Sequence, residues 1–577
     1  MFSTYFFPRP FRALFHGTIP LPEALREAQV PIAVGVTGHR KLPGDPEVLK
    51  TAIAAQCRDL ARAHRSSPFL LLSGLAEGAD LILTEIALDT LPDCSFIAVL
   101  PMPRAEFEKD FTSETARTRF AALLARAEAV VEIPTVGDAW RQAGRERDAL
   151  YAQVGALIAE HAQLLLAVWD GQPSGGTGGT RDVMDWFEQG YAPKRYSFYH
   201  GELSPLDPPE AGMLLSIDPA SGKVTPDVVR RPAERGTNIA ALLRLTDTYN
   251  RGLRRNQTLI SGAQSPLMTE PQGPVARVFA AADVLAIKYR DRVRTLDRAM
   301  YLLALIAFLL FNFLEKAPAA VYGYALVTIA MGIVFLCMWL PKVDDRFREY
   351  RALSEAMRVL FFWRLAGVQR TVWLGYLAKH AGLVHWVRHA VRTIEFCQGA
   401  KSGRAGDGVS SEGIALAIDN WVSQQQAFYK GAVARHAKAA RAWTRLSSAS
   451  LFLSYALAIV LLVLAYQNTA GLWHWTNPTL SEGLQITLGV AAAFGLAARS
   501  YLARKADEDL VKHYSSALQI FDAASRQLAD AAEKRAKAKE PDWPPEEILE
   551  RLGIEALREQ GEWLWLRHSR PFDVPQG

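Results

Sequence analysis

Leu164 to Thr180 reads "LLLAVWDGQPSGGTGGT". A short apolar run gives way to Asp170 and then to five glycines between Gly171 and Gly179. An apolar run of this length, bounded by turn residues, reads as a buried strand. Glycines between a strand and a helix let backbone N–H groups converge on an anion. A helix beginning near Arg181 would add its positive end. Gly175, Gly176, Thr177, Gly178, Gly179 and Thr180 are therefore expected to hold a phosphate or ribose, with the Thr180 hydroxyl as a donor. The alternative is a plain flexible loop. The position between strand and helix favours the anion site.

Outward from this stretch the pattern repeats. Ile32–Thr37, Phe69–Leu72, Ser95–Leu100, Ala129–Ile133 and Met213–Ile217 read as further strands. Pro46–His64, Ala79–Leu88, Thr115–Ala127 and Arg141–Glu160 read as helices between them. Apolar strands alternating with helices predict an α/β domain with a parallel sheet covered on both faces. Such sheets bind ligands at the carboxyl ends of their strands. Here those ends carry "TGHR", "SGLAEGAD", "LPMPR" and the glycine-rich stretch. Gly35, Thr37 and Gly38 would let a ligand approach the first strand, and Ser73, Gly74 and Gly78 the second. Arg40 would pair with phosphate through its bidentate fork. Asp170 lies at the same edge. Glu77 or Asp80 would bind ribose hydroxyls, or cap the helix that follows, the favoured role for Asp80. His39 would contact a phosphate or cap a turn.

"GVTGHR", "LLSGLAEGADLILTEIAL", "IAVLPMP" and "LLLAVWDGQPSGGTGGT" together resemble the SLOG superfamily. That superfamily includes lonely-guy phosphoribohydrolases, the DNA-processing Smf/DprA proteins and the ligand-binding N-terminal region of TRPM channels. The resemblance covers about Ile32 to Asp218 and implies a Rossmann-like fold binding a nucleotide or ADP-ribose-like ligand. It does not carry over lonely-guy catalysis. Aligning the family's P-G-G-x-G-T-x-x-E on Gly179-Thr180 puts Val183 at the glutamate and Gly175 at the proline. Valine cannot move a proton, and the adjacent Asp182 is turned about 100° away on a helix. No catalytic residue is assigned, and binding without turnover is expected.

The second half is helical and strongly apolar. Ala299–Leu314 and Ala319–Leu340 are separated only by "EKAP". Ser448–Tyr466 and Leu484–Ala498 are separated by "QNTAGLWHWTNPTLSEG". A bilayer span needs about 20 apolar residues. The second and third segments reach that length, and the first and fourth need their flanks. The expectation is an all-α membrane domain with four transmembrane helices in two hairpins. Buried core helices are the weaker alternative. "RDRVRTLDR", "PKVDDRFREYR", "KGAVARHAKAARAWTR" and "RSYLARK" flank the spans on one side, whereas the connecting loops hold only Lys316. By the positive-inside rule both termini and the α/β domain are cytoplasmic. Trp473 and Trp475 suit the opposite interface or ordinary loop packing. "YRALSEAMRVLFFW" and "WVSQQQAFY" resemble SLATT domains, two-helix membrane effectors found beside SLOG domains in bacterial conflict systems. That likeness implies a bacterial inner membrane, and pore formation or membrane perturbation on nucleotide binding, in antiviral defence. The two hairpins share an order of elements, which suggests a duplicated unit.

The expected organisation is an N-terminal segment (1–30), the SLOG-like domain (31–220) and a loop-rich extension and linker (221–274). Two SLATT-like units follow (275–400 and 401–577), the second with C-terminal helices. Expected partners are the lipid bilayer, a nucleotide-derived small molecule and further copies of the chain. Net charge is +5, too small to argue for nucleic acid. Mean hydropathy is +0.02 with 22% charged residues, so the apolar surplus is concentrated locally. Cys57, Cys94, Cys337 and Cys397 are far apart, which argues against a zinc site or a disulfide framework. Pro8 and Pro10 interrupt the aromatic start, so no signal peptide is expected. His385 and His389 are one helical turn apart but lack the glutamate and third ligand of a zinc motif. Neither "KEPDWPPEEILERLG" nor "RHSRPFDVP" carries chemistry. A membrane-tethered hydrolase and a constitutive membrane scaffold stand as competing readings.

Overall fold

The computed structural model describes residues 28–173, 176–199, 212–229, 239–261, 273–314, 317–339, 342–377, 381–399, 411–469, 478–537 and 539–568. The chain forms two compact units interleaved in sequence. Met1–Leu285 and Arg351–Ile414 make one, and Ala286–Tyr350 and Ala415–Gly577 make the other.

The first unit is built on a seven-stranded sheet. Its strands are β1 (Ile32–Gly38), β2 (Phe69–Ser73), β3 (Cys94–Leu100), β4 (Ala129–Glu132), β5 (Leu164–Val168), β6 (Gly212–Ile217) and β7 (Val224–Val229), in spatial order 4-3-2-1-5-6-7. The first six strands are parallel, and β7 pairs antiparallel with β6 at the edge. Every residue of β2 and β5 is buried, which is why these strands read as continuous apolar runs. The crossovers are α1 (Pro46–Ala63), α2 (Ala79–Thr90), α3 (Glu114–Arg126), α4 (Arg145–His161) and α5 (Thr180–Gln189). Asp45 caps α1, its side chain accepting from Glu47 N at 2.9 Å, and Pro46 opens the helix. Strand order reverses between β1 and β5, the place where open α/β sheets form a ligand crevice.

Beyond the sheet, the stretch read as loops and linker contains β7 and a 17-residue helix, α6 (Ile239–Arg255). Polar residues carry its buried face, which hides the period. Asn250 is fully buried, accepts from Val30 N at 2.9 Å and donates to Val30 O at 2.8 Å. Helices α7 (Gly273–Phe311), α8 (Pro318–Trp339), α9 (Val343–Leu365) and α10 (Ala381–Gly399) follow. Within the first unit α10 packs on α6 and α4, with Trp386 against Tyr249 and Phe396 against His161. Glu395 fixes the turn before α10, accepting from Val372 N, Trp373 N and the Arg364 guanidinium.

The second unit is helical, with α11 (Ser423–Thr469), α12 (Pro478–Lys505), α13 (Asp507–Ala536) and α14 (Pro545–His568). Among the described residues, three helical stretches are long and apolar enough to cross a membrane: Pro318–Leu365, which contains α8, Ser411–Thr469, which contains α11, and Thr479–Ala536, which begins in α12. Their most apolar windows are 0%, 6% and 17% buried, which points to membrane association. The structure shows three such helices rather than four. The first expected span, Ala299–Leu314, falls short because α7 stops at Phe311, and the 18 residues ending there include Arg294, Asp297 and Arg298. The α11–α12 pair is tight. Ser447 Oγ donates to Gly495 O at 3.0 Å and Ser450 Oγ to Ala491 O at 2.7 Å. A Cβ on Gly495 would come within 2.7 Å of Leu451. Small residues at this seam let the backbones approach. Trp473 and Trp475, Lys316 and the His385 side chain lie outside the described residues. His389 Nδ1 is 2.6 Å from Arg392 Nη2.

Candidate functional site

The carboxyl edge of the sheet brings most of the singled-out residues together. β1 ends at Gly38, whose register partner in β5 is Val168. His39 N donates to Val168 O at 3.2 Å, joining the two strand ends. The His39 ring then reaches across the crevice mouth, with Nε2 2.9 Å from Asp170 Oδ1. Asp170 Oδ1 also accepts from Gln172 N at 3.0 Å, which shapes the first turn of the glycine-rich loop.

That loop returns to the sheet through Gly178. Its φ of +81° suits glycine, and a Cβ there would overlap the backbone of Ala152 on α4. The amide of Gly178 donates to Asp182 Oδ2 at 2.8 Å, and Gly179 N donates to Gly176 O at 3.2 Å. Asp182 therefore braces the loop from the first turn of α5. Thr180 is buried, Gly176 and Thr177 are exposed, and nothing lies within 4 Å of a Cβ built on Gly176. Gly175 lies outside the described residues. Val183 is buried, and a Cβ on Gly155 of α4 would overlap its side chain. Val183 thus belongs to the core between α4 and α5.

The glycines of the first two strands serve packing. A Cβ on Gly35 would come within 2.7 Å of Ile158 and 2.9 Å of Ala162, so this glycine lets α4 sit on the sheet. A Cβ on Gly38 would overlap Ala79 of α2, and one on Gly78 would overlap the backbone of Arg40. One on Gly74 would meet Val154 at 3.1 Å. The space these glycines leave is filled by the protein's own helices and turns. Ser73 is likewise engaged: its Oγ accepts from Leu75 N at 3.1 Å and from Thr84 Oγ1 at 2.8 Å. Thr37 is buried at the strand end.

Glu77 turns away from the crevice. It caps the start of α3, accepting from Thr112 N at 2.8 Å and Ser113 N at 3.2 Å. Partial burial acts to raise its carboxyl, but those hydrogen bonds and Arg40 outweigh it and hold the group below its ordinary value. Arg40 is exposed, its guanidinium 5.1 Å from the ring centroid of Tyr151 on α4. Tyr151 donates to Asp110, which also takes Arg147 Nη2 at 2.7 Å. Arg181 lies 5.1 Å from the ring centroid of Trp169, beside the loop.

Asp80 does not cap α2: the N-cap is Gly78, and no side chain makes the capping hydrogen bond. It sits in the first turn of α2 and is buried, and its Oδ1 has no hydrogen-bond partner among the described residues. Burial pushes its carboxyl up to about 7, against the Ala76 amide, the Arg40 charge and the Gly38 amide, which favour the ionised form. In sequence, an aspartate at a helix start looks like a cap. Only the packing of Gly38 and Gly74 around it reveals the burial. No protein-family model matches the chain, and no curated protein matches it in sequence.

Proposed function

We propose that this chain is a membrane-bound bacterial sensor of a nucleotide or nucleotide-derived signal, in which binding at the sheet edge gates a membrane-perturbing effector. The observation that carries the reading is the open turn at Gly176–Gly179. It lies at the N-terminus of α5, beside the reversal of strand order, in a chain that also exposes membrane-length apolar helices. The exposed side of the loop at Gly176 and Thr177 and the start of α5 take a phosphate, which must compete with Asp182 for the Gly178 amide. Arg40 supplies positive charge beside it, Arg181 does so in competition with Asp185, the His39 ring supplies a hydrogen bond, and Asp170 addresses ribose hydroxyls. The resemblance to SLOG and SLATT domains supports the same division of labour and a role in antiviral defence.

The membrane part carries four spans, Ala299–Leu314 completing its crossing with flanking residues, and both termini are cytoplasmic. A ligand shifts such a region only by binding one conformation more tightly than another. A preference of about 100-fold supplies about 2.7 kcal/mol, enough to make a minor state substantial. The test mixes full-length protein in detergent with a nucleotide pool and identifies by mass spectrometry what is retained. The same nucleotide is then added to dye-loaded liposomes carrying the protein. Retention without turnover, followed by ligand-dependent leakage, is the expected result. Equal leakage with and without a retained ligand overturns the gated reading.

A second reading, a membrane-tethered nucleotide or N-glycosidic hydrolase, is favoured by Asp80. A carboxyl held near neutrality beside the crevice suits acid–base work. Turnover of the retained nucleotide by wild type, lost in Asp80→Asn, would decide for it.

A further inference from the structure

The second unit contains a cavity of about 290 Å³ where α12 turns into α13. Ala506, with φ +53°, makes the turn. From α11 come Thr444, Ser447 and Ser448, from α12 Arg499, and from the first turn of α13 the three carboxylates Asp507, Glu508 and Asp509. The apolar stretch of α11 begins at Ser448, and that of α12 ends at Ala498, one residue before Arg499. The cavity therefore sits at the polar end of this hairpin, at the level of lipid headgroups.

Its lining carries charges of both signs, and only part of them is paired. Arg499 and Glu508 form no ion pair among the described residues. Asp507 is 1% exposed. Its Oδ1 contacts His436 Nδ1 at 2.6 Å, while its Oδ2 has no hydrogen-bond partner among the described residues and lies 3.8 Å from Lys505 Nζ. A buried carboxylate oxygen without a donor is costly unless something supplies one. A simple anion would meet Asp507 and Glu508, and a simple cation would meet Arg499 and the positive start of α13. A ligand with a phosphate and an N–H-bearing ammonium a few bonds apart satisfies both. The volume is below that of most small-molecule pockets and suits a headgroup rather than a nucleotide.

We infer that this cavity binds the headgroup of a phosphatidylethanolamine-type lipid, with the phosphate on Arg499 and the hydroxyls of Thr444 and Ser448, and the ammonium on Asp507. The site is independent of the nucleotide crevice. The test reconstitutes full-length protein in mixed vesicles of phosphatidylethanolamine, phosphatidylcholine and phosphatidylglycerol. It then extracts the protein in mild detergent and quantifies retained lipid by mass spectrometry. Phosphatidylcholine lacks ammonium N–H groups and phosphatidylglycerol lacks the ammonium altogether. Phosphatidylethanolamine should be enriched by about tenfold over both, the value of one charge-assisted hydrogen bond. Asp507→Asn should abolish the preference, and Arg499→Ala should lower retention of all three lipids. Arg499 is exposed and unpaired among the described residues, so that variant tests the site even where loss of the His436 contact unfolds Asp507→Asn. Equal retention of the three lipids by wild type overturns the assignment, as does retention unchanged in Arg499→Ala. Binding of free phosphoethanolamine with no lipid enrichment overturns the lipid as the source.

Discussion

Strand β5 and helix α8 are both built largely from apolar residues. All five residues of β5 are buried, whereas Val321, Leu326, Ile329 and Ile333 of α8 are each more than half exposed. Burying an aliphatic side chain is worth about 1.5–3 kcal/mol. β5 collects that within its own sheet, and α8 collects little within its own unit. Among the described residues the end of α7 meets this helix, at Tyr324 and Gly323, and an apolar surface so little covered has lipid as its natural solvent. The two regions are folded by one effect acting toward two different phases, and that difference is open to direct attack.

The largest expected effect comes from Ile329→Lys combined with Ile333→Lys. In water, two exposed substitutions would change little. At the centre of a bilayer each lysine costs about 2.5–3.5 kcal/mol. The variant should leave the chain in the alkali-resistant fraction, held by α11 and α12, but should make the α8 segment protease-sensitive in intact vesicles. If protection of that segment matches wild type, α8 does not face lipid and the comparison fails.

Glycines sharpen the sheet side of the comparison. Gly178→Glu places a side chain at φ +81° against the backbone of Ala152 and should destabilise the first unit by about 3 kcal/mol or more. Gly176→Glu enters open space and should leave unfolding within about 0.5 kcal/mol of wild type. It should nevertheless abolish nucleotide retention, because a carboxylate then occupies the phosphate position. Thermal unfolding beside ligand retention separates the two variants. Nucleotide retention by Gly176→Glu equal to wild type would remove the loop from the site.

These glycines also show what the sequence made legible. Six strands and the helices between the first five were readable from apolar runs, because a doubly covered parallel sheet buries whole strands. β7 was not, since Pro226 breaks its pattern and is tolerated only because the strand is an edge. α6 was not, since Asn250, Asp247 and Thr246 are buried where an apolar stripe would be expected. At the crevice, residue types and strand ends were legible. The division of glycines between a ligand and the protein's own helices was not. Gly38 and Gly176 are the same letter, and only three-dimensional neighbours show that one is filled and the other open.

Asp80 gives a smaller, pH-dependent effect. Its folded value, about 7, lies above that of an unfolded aspartate, so the folded state binds the extra proton between about pH 4 and 7. Its contribution is therefore present at low pH and is lost as pH rises through about 7, by at most about 4 kcal/mol. Protection of β1 and β2 amides in the full chain, read as hydrogen exchange relative to the intrinsic base-catalysed rate at each pH, should fall across that window. Asp80→Asn should flatten the dependence. A pH-independent wild type would show that the carboxyl is solvated, contrary to its burial.

The smallest effect belongs to Glu77, and its sign is opposite. Burial raises this carboxyl, but the Thr112 and Ser113 donors and Arg40 win, so its folded value lies below the unfolded one. Its contribution is present above the ordinary carboxylate range and is lost as pH falls through the folded value. Glu77→Gln keeps the shape and one acceptor but removes the charge that strengthens the bonds to the start of α3. Losing that should cost about 1 kcal/mol, read as faster exchange of the Thr112 and Ser113 amides. Nucleotide retention should be unchanged, because Glu77 points to α3 and not to the crevice. If retention instead falls with no change at Thr112, Glu77 is a ligand contact and the crevice extends past Arg40 to the end of β2.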